Sequence, residues 1–213
     1  MTTSRPETGS RLDRRKAQTR RKLLDAARAM LAEGTAHQSS IQDITDAADV
    51  GFGSFYNHFP TKGDLFTAAV EDAMEEMGAR LDELGSTVED PAAEFAQSVR
   101  LAGRLALQRP QIAQVMVRHG VAYLDSGRGL APRALRDIIA GVEAGRFHVA
   151  NPKLAMSTVA GALLAALHLS LTDPDFDHDT VYDQLAEQLL CMLGVPPAEA
   201  RELVALPLPV PEG

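Results

Sequence analysis

Six histidines and one cysteine are the side chains best suited to metal or nucleophilic chemistry, and they are scattered. His37, His58, His119, His148, His168 and His178 lie far apart in the chain, and Cys191 sits in a Leu/Met context. No H-E-x-x-H pair, phosphate-gripping Gly-rich loop or nucleophile elbow accompanies them. A lone cysteine excludes an internal disulfide framework and a Cys-cluster metal site. The spacing that does suggest chemistry lies between Ser40 and Lys62. Phe52, Gly53, Ser54, Tyr56, Asn57 and His58 would share a short helix behind a tight turn at Asp49–Gly51. Such a set suits the edges and backbone of a duplex. Asn57 can read an adenine edge, Phe52 can touch a thymine methyl, Ser54 can donate and accept, and Gly53 permits close approach. Tyr56, His58 and Lys62 are placed for phosphate, and Ser40 can anchor the opposite strand at a helix start.

The elements that must position these groups read as helices cut by Gly and Pro, with no Val/Ile/Thr alternation demanding a sheet. A first helix runs from about Leu12 or Arg15 to Glu33, with an apolar stripe of Leu23, Ala26, Ala27, Met30 and Leu31. A short helix follows over Ile41–Ala48, with Ser40 as N-cap and Asp43 completing a capping box. Ile41, Ile44, Ala47, Ala48, Val50 and Phe55 form its small core, and Phe59 joins them. A second short helix spans Phe52–His58, so residues 40–58 have helix-turn-helix form. Gly51 suits the turn. Thr61 caps a longer helix, about Lys62–Leu84, with Asp64 as the reciprocal partner. Further helices are expected over 92–108, 110–123, 131–144, 153–171 and 176–193, then a Pro-rich tail in which residues 198–206 can form one short helix. The expected organisation is all-α: a disordered arm (1–10), a three-helix head (11–60), a larger helical body (61–195) and the tail (196–213).

Charge divides along the same line. The net charge of −8 splits into +3 over residues 1–62 and −11 over 63–213. Between Arg11 and Arg28 only Asp13 and Asp25 oppose a run of basic side chains. A basic head on an acidic body fits a DNA reader whose body stays off the duplex. Arg15, Lys16 and Arg20 would add sequence-independent contacts. No uninterrupted apolar run approaches the length needed to span a bilayer, and no secretory signal follows the polar N-terminus. With the lone cysteine, these features lead to the expectation of a cytoplasmic protein without membrane contact and without a cofactor.

The segment S-S-I-Q-D-I-T-D-A-A-D-V-G-F-G-S-F-Y-N-H-F-P-T-K-G-D-L-F, residues 39–66, resembles the signature of the TetR family of transcriptional regulators. The pattern V-S-x-G-x-x-Y-x-H-F-x-x-K-x-x-L is met by Val50, Gly53, Tyr56, His58, Phe59, Lys62 and Leu65. Gly51 stands where the pattern has Ser, and Gly63 where Glu is common. The resemblance covers about a quarter of the chain. It implies an all-helical homodimer with a three-helix DNA-binding head and a C-terminal domain that binds a small effector and pairs the protomers. It adds weight to Ser54, Tyr56, His58 and Lys62 as DNA contacts, and gives the fourth helix the role of a lever.

In the body, Met77, Phe95, Leu101, Met116, His119 and Tyr123 are the candidate pocket residues. The absence of Trp favours an aliphatic or Met-lined cavity. The last two long helices are the candidate dimer face, through Ala160, Leu164, Leu167, His168, Leu185, Leu189 and Met192. The expected function is a homodimeric repressor released from a palindromic double-stranded operator by a small effector. The alternatives are a DNA-binding activator or architectural protein, and a small helical enzyme.

Overall fold

The computed structural model describes residues 11–85, 88–178 and 180–209. The arm expected over residues 1–10 lies outside them. The described residues fold into ten α-helices and one 3-10 turn, without a strand among them. They divide into two compact units, one ending at Ala69 and the other starting at Val70.

The first unit contains α1 (Arg11–Glu33), α2 (Ile41–Ala47), α3 (Phe52–Phe55) and the start of α4 (Lys62–Gly85). Leu23, Leu24, Ala27 and Leu31 bury one face of α1, and Ile44, Ala48, Phe55, Phe59 and Leu65 complete the core. Each large apolar side chain removed from water contributes about 1.5–3 kcal/mol. Both expected capping boxes form. Ser40 N–H donates to the Asp43 carboxylate at 2.8 Å and Asp43 N–H to Ser40 Oγ at 3.1 Å. Thr61 and Asp64 make the same exchange at 3.0 and 3.1 Å. Two details differ from expectation. Ala47 is exposed, while Thr45 is fully buried and satisfies its hydroxyl on the Gln42 carbonyl at 3.0 Å. The α-helical part of α3 ends at Phe55, and residues 56–58 continue as a turn closed by Phe59 N–H on the Phe55 carbonyl.

The second unit is a helical bundle around α5 (Pro91–Leu107), which packs against α7 (Leu130–Glu143), α8 (Pro152–Thr172), α9 (Val181–Met192) and α10 (Pro197–Val204). Phe95 and Phe147 meet edge to face at 5.6 Å within a core that includes Ile138, Met156, Leu190 and Leu193. The helix expected over 110–123 stops at His119 as α6 (Pro110–His119) and tightens into a 3-10 turn, Gly120–Tyr123. A Cβ at Gly120 would meet the end of the Leu164 side chain at 3.0 Å, close enough that the leucine would have to give way. The helix expected from 176 begins at Val181, because Asp173 and Asp177 hold the preceding residues in turns. Within the expected tail, α10 forms and buries Ala200. Arg100, itself buried, donates to Asp183 at 2.7 Å and to the Leu206 carbonyl at 2.8 Å, tying the chain end to α5 and α9.

Helix α8 is long and apolar enough, by length and mean hydropathy, to cross a membrane, and a third of that window is buried inside the protein. The sequence reading found no uninterrupted run because Ser157, Thr158, His168 and Ser170 punctuate it. Its mean hydropathy nonetheless reaches the level of a span, and α8 packs against α5, α6, α7 and α9.

Candidate DNA-reading head and effector cavity

In the first unit, α3 exposes Phe52 (48%) and Tyr56 (55%), two large rings in an edge-to-face pair 6.0 Å apart. Gly53 and Asn57 are exposed and Ser54 is half-buried, while Phe55 points into the core. An ideal Cβ on Gly53 would meet nothing within 4 Å. The absence of an internal steric reason for glycine there is what a close-approach surface looks like. Gly51 is not demanded by the turn, since its φ is −67° and an added Cβ would make only ordinary contact with Ser54. The strained position is Asp49, at φ 51°, pinned by Lys22 through its carboxylate at 2.9 Å and its carbonyl at 3.3 Å.

Basic groups frame this face. Arg15, Lys16 and Arg20 are exposed, and the Arg20 guanidinium lies 4.9 Å from the centre of the Phe59 ring. Burial, with Lys16 and Arg20 nearby, pushes the His58 imidazole below its ordinary value, so it stands neutral at pH 7 and offers a hydrogen bond rather than a charge. Lys62 does not project freely toward phosphate. Its ammonium donates to the carbonyls of Ser39 at 2.8 Å, His37 at 3.2 Å and Ala36 at 3.4 Å, locking the loop before α2. Ser40's hydroxyl is likewise engaged, donating to Asp43 at 2.7 Å. Both residues therefore build the reader from within, which sequence spacing alone did not show.

In the second unit a cavity of about 310 Å³ opens among α4, α5, α6, α7, α8 and the 3-10 turn. Of the expected lining residues, Phe95, Met116 and Tyr123 face it. Met77 and Leu101 are instead buried core residues, and His119 lies outside the lining. Ala160 and Leu164, expected on the dimer face, line the cavity as well. The wall is mostly apolar, as expected, with Met74 and Met116 among aliphatic side chains, but it also carries charge. Asp82, Glu94, Ser98 and Asp137 face the guest space together with Arg128, Arg133 and Arg136. An i, i+4 pair on α5 (Glu94, Ser98) and the R-x-x-R-D run on α7 (Arg133 to Asp137) are the sequence signals that could have revealed them.

Arg133 is the centre of an ion-pair lattice between α4 and α7. It reaches Glu75 at 2.9 Å, Asp82 at 2.7 Å and the Gly129 carbonyl at 2.8 Å. A Cβ on Gly78 would fall 2.6 Å from its guanidinium, so glycine there lets the arginine lie flat on α4. Arg133's hydrogen bonds and the Gly129 N–H hold the Glu75 carboxyl down to about 2. Arg136 pairs with Asp137 at 2.9 Å, yet burial still pushes the Asp137 carboxyl up.

On the remaining face, α8 exposes Leu154, Thr158, Ala165, His168 and Leu169, and carries no charged residue between Leu154 and Thr172. Gly161 has open space where a Cβ would be. On α9, Gln184, Gln188 and Met192 are exposed and Leu185 is half-buried. Leu167 and Leu189, expected at the interface, are turned into the protomer's own core.

Comparison with known proteins agrees with this architecture. A family model described as "Tetracyclin repressor-like, C-terminal domain" matches residues 90–206, and one described as "Bacterial regulatory proteins, tetR family" matches residues 23–69. The chain belongs to the TetR family of transcriptional regulators. Among solved structures, ligand-free RolR is 36% identical, with a TM-score of 0.73 over 90% of this chain and 98% of RolR. RolR in complex with resorcinol is 34% identical, with a TM-score of 0.65 over 93% of this chain and 98% of that one. The HTH-type transcriptional repressor KstR of Mycolicibacterium smegmatis is 26% identical over 115 residues, 54% of this chain and 55% of KstR. The chain thus spans about half the length of the curated relatives it matches. TetR-family membership implies DNA binding and dimerisation.

Proposed function

We propose that this TetR-family chain is a homodimeric repressor of a palindromic double-stranded operator, released when a small effector enters the α4–α8 cavity. The observation that carries the reading is the path of α4. This helix begins at Lys62, in the unit that bears the reading face, and its Met74, Leu81 and Asp82 line the cavity. A guest that prefers one position of α4 biases the head attached to it, since coupling is differential affinity for two states. In the reader, Phe52, Gly53, Ser54, Tyr56, Asn57 and His58 contact the major groove and its phosphates, with Arg15, Lys16 and Arg20 adding electrostatic grip. The exposed α8 and α9 stripes, through His168, Leu185 and Met192, form the two-fold face.

The effector is a small, neutral, ring-bearing molecule with hydroxyl groups. The cavity is sized for one, and its lining joins Phe95, Val99 and Met116 to groups that accept and donate hydrogen bonds. RolR, which shares the fold and a third of the sequence, was solved with resorcinol, a ring of this kind. Operator selection with purified protein, followed by footprinting with and without resorcinol, tests the reading. The expected result is a palindromic protected site with half-sites about 34–36 Å apart, lost when the effector is added. Binding without sequence preference at moderate salt would overturn it.

A further inference from the structure

We propose that Glu94 selects the guest of this cavity, accepting a hydrogen bond from a neutral hydroxyl-bearing ligand and disfavouring ring compounds that lack a donor. The inference rests on the reading of the cavity as an effector site. Three carboxylates face the guest space, and two already have cationic partners. Asp82 is held by Arg133 at 2.7 Å and Asp137 by Arg136 at 2.9 Å. Glu94 differs. It lies half-buried on α5, and among the described residues no hydrogen bond or ion pair reaches its carboxylate.

A carboxylate without a partner beside an apolar wall is costly, and a guest that brings a donor relieves that cost. Ser98 lies one helical turn further along the same face of α5, and Tyr123 lines the cavity from the 3-10 turn. A donor at Glu94 therefore orients a ring whose body lies against Phe95 and Val99. An ether or unsubstituted ring of the same size fills the space but leaves Glu94 unsatisfied. An anionic guest meets the same carboxylate while Arg133 and Arg136 are engaged by other acids, which leaves Arg128 as the lining arginine that could offset it.

The charged neighbours fix the direction of a pH effect. Burial pushes the Glu94 carboxyl up, Asp137 on α7 and Asp82 on α4 push it further, and Arg136 on α7 partly opposes them. A bound hydroxyl favours the ionised form. Affinity for a neutral phenol is therefore full above the raised value and falls as the pH drops through it.

Calorimetric titration of the full chain compares resorcinol with 1,3-dimethoxybenzene, the same ring without donors. The wild type is expected to prefer resorcinol by about tenfold or more, the range of a hydrogen bond to a charged group. In Glu94→Leu that preference collapses, through weaker resorcinol binding rather than loss of the ether. Glu94→Gln keeps the shape of the side chain and guards against misfolding. It should still bind resorcinol, with a flatter dependence between pH 7.5 and 5. A Leu variant that retains the full preference, or a Gln variant with the wild-type pH profile, overturns the role of Glu94 alone. Failure of the wild type to bind either ring overturns the phenolic effector itself, and this inference with it.

Discussion

Arg133 shows how much one side chain can organise. It lies over Gly78 and is shared by Glu75, Asp82 and a backbone carbonyl, so its charge is consumed by the scaffold rather than offered to a guest. The pH consequence has a definite sign. Glu75 is held at about 2, against 4.5 for an unperturbed glutamate. A depressed acid stabilises the fold above its unfolded value, and that contribution is lost as pH falls from 4.5 toward about 2. Urea unfolding across that acid window should show stability falling steadily in the wild type. Arg133→Met should be less stable at neutral pH and show a shallower acid slope; an unchanged slope would remove the lattice from the stability account. Residues such as this were poorly legible in the sequence. Lys62 reads as a phosphate donor by position, yet three carbonyls of the loop before α2 accept from its ammonium. The left-handed residue of the turn is Asp49, and the sequence has no signal for it beyond Asp's tolerance of the conformation.

At the level of elements, α5 is the axis of the second unit, and its closest approach is to α9. Gly103 makes it possible. A Cβ there would fall 2.0 Å from the Tyr182 ring, which is fully buried and held by a 3.0 Å hydrogen bond between its hydroxyl and Ser170. The ring has nowhere to retreat, so Gly103→Ala should cost about 1–3 kcal/mol in chemical denaturation, the range for overpacking a filled core. Wild-type stability in that variant would mean that α5 and α9 can separate. The helices themselves were largely legible: periodicity placed α1, α2, α4, α5, α7 and α8 within a few residues, and the Ser40–Asp43 and Thr61–Asp64 boxes marked two starts correctly. Where the reading failed, a tertiary contact or a turn-forming acid decided the boundary. The end of α6 tightens into a 3-10 turn where Gly120 packs against Leu164, and Asp177 caps the turn before α9. The cavity was half legible. Its aromatic and Met lining follows from apolar stripes, but its charged lining depends on which faces of α4, α5 and α7 converge, which no local pattern encodes.

For the whole molecule, the uncharged stretch of α8 is the feature with the widest reach. Leu154 and Leu169 stand 64% and 44% exposed on a helix whose mean hydropathy equals that of a membrane span. The two-fold face proposed above would cover this surface. Leu169→Asp should leave the protomer folded, since the side chain lies outside its core, and shift sedimentation from dimer to monomer; a variant that stays dimeric would place the two-fold face elsewhere. In the proposed dimer the same apolar stripe would also tie control to dosage. Where protomers are dilute relative to the strength of their pairing, the number of dimers follows the square of protomer concentration, so halving the supply leaves about a quarter of the dimers. Pairing through so apolar a surface would turn a modest change in synthesis into a steep change in the number of dimers.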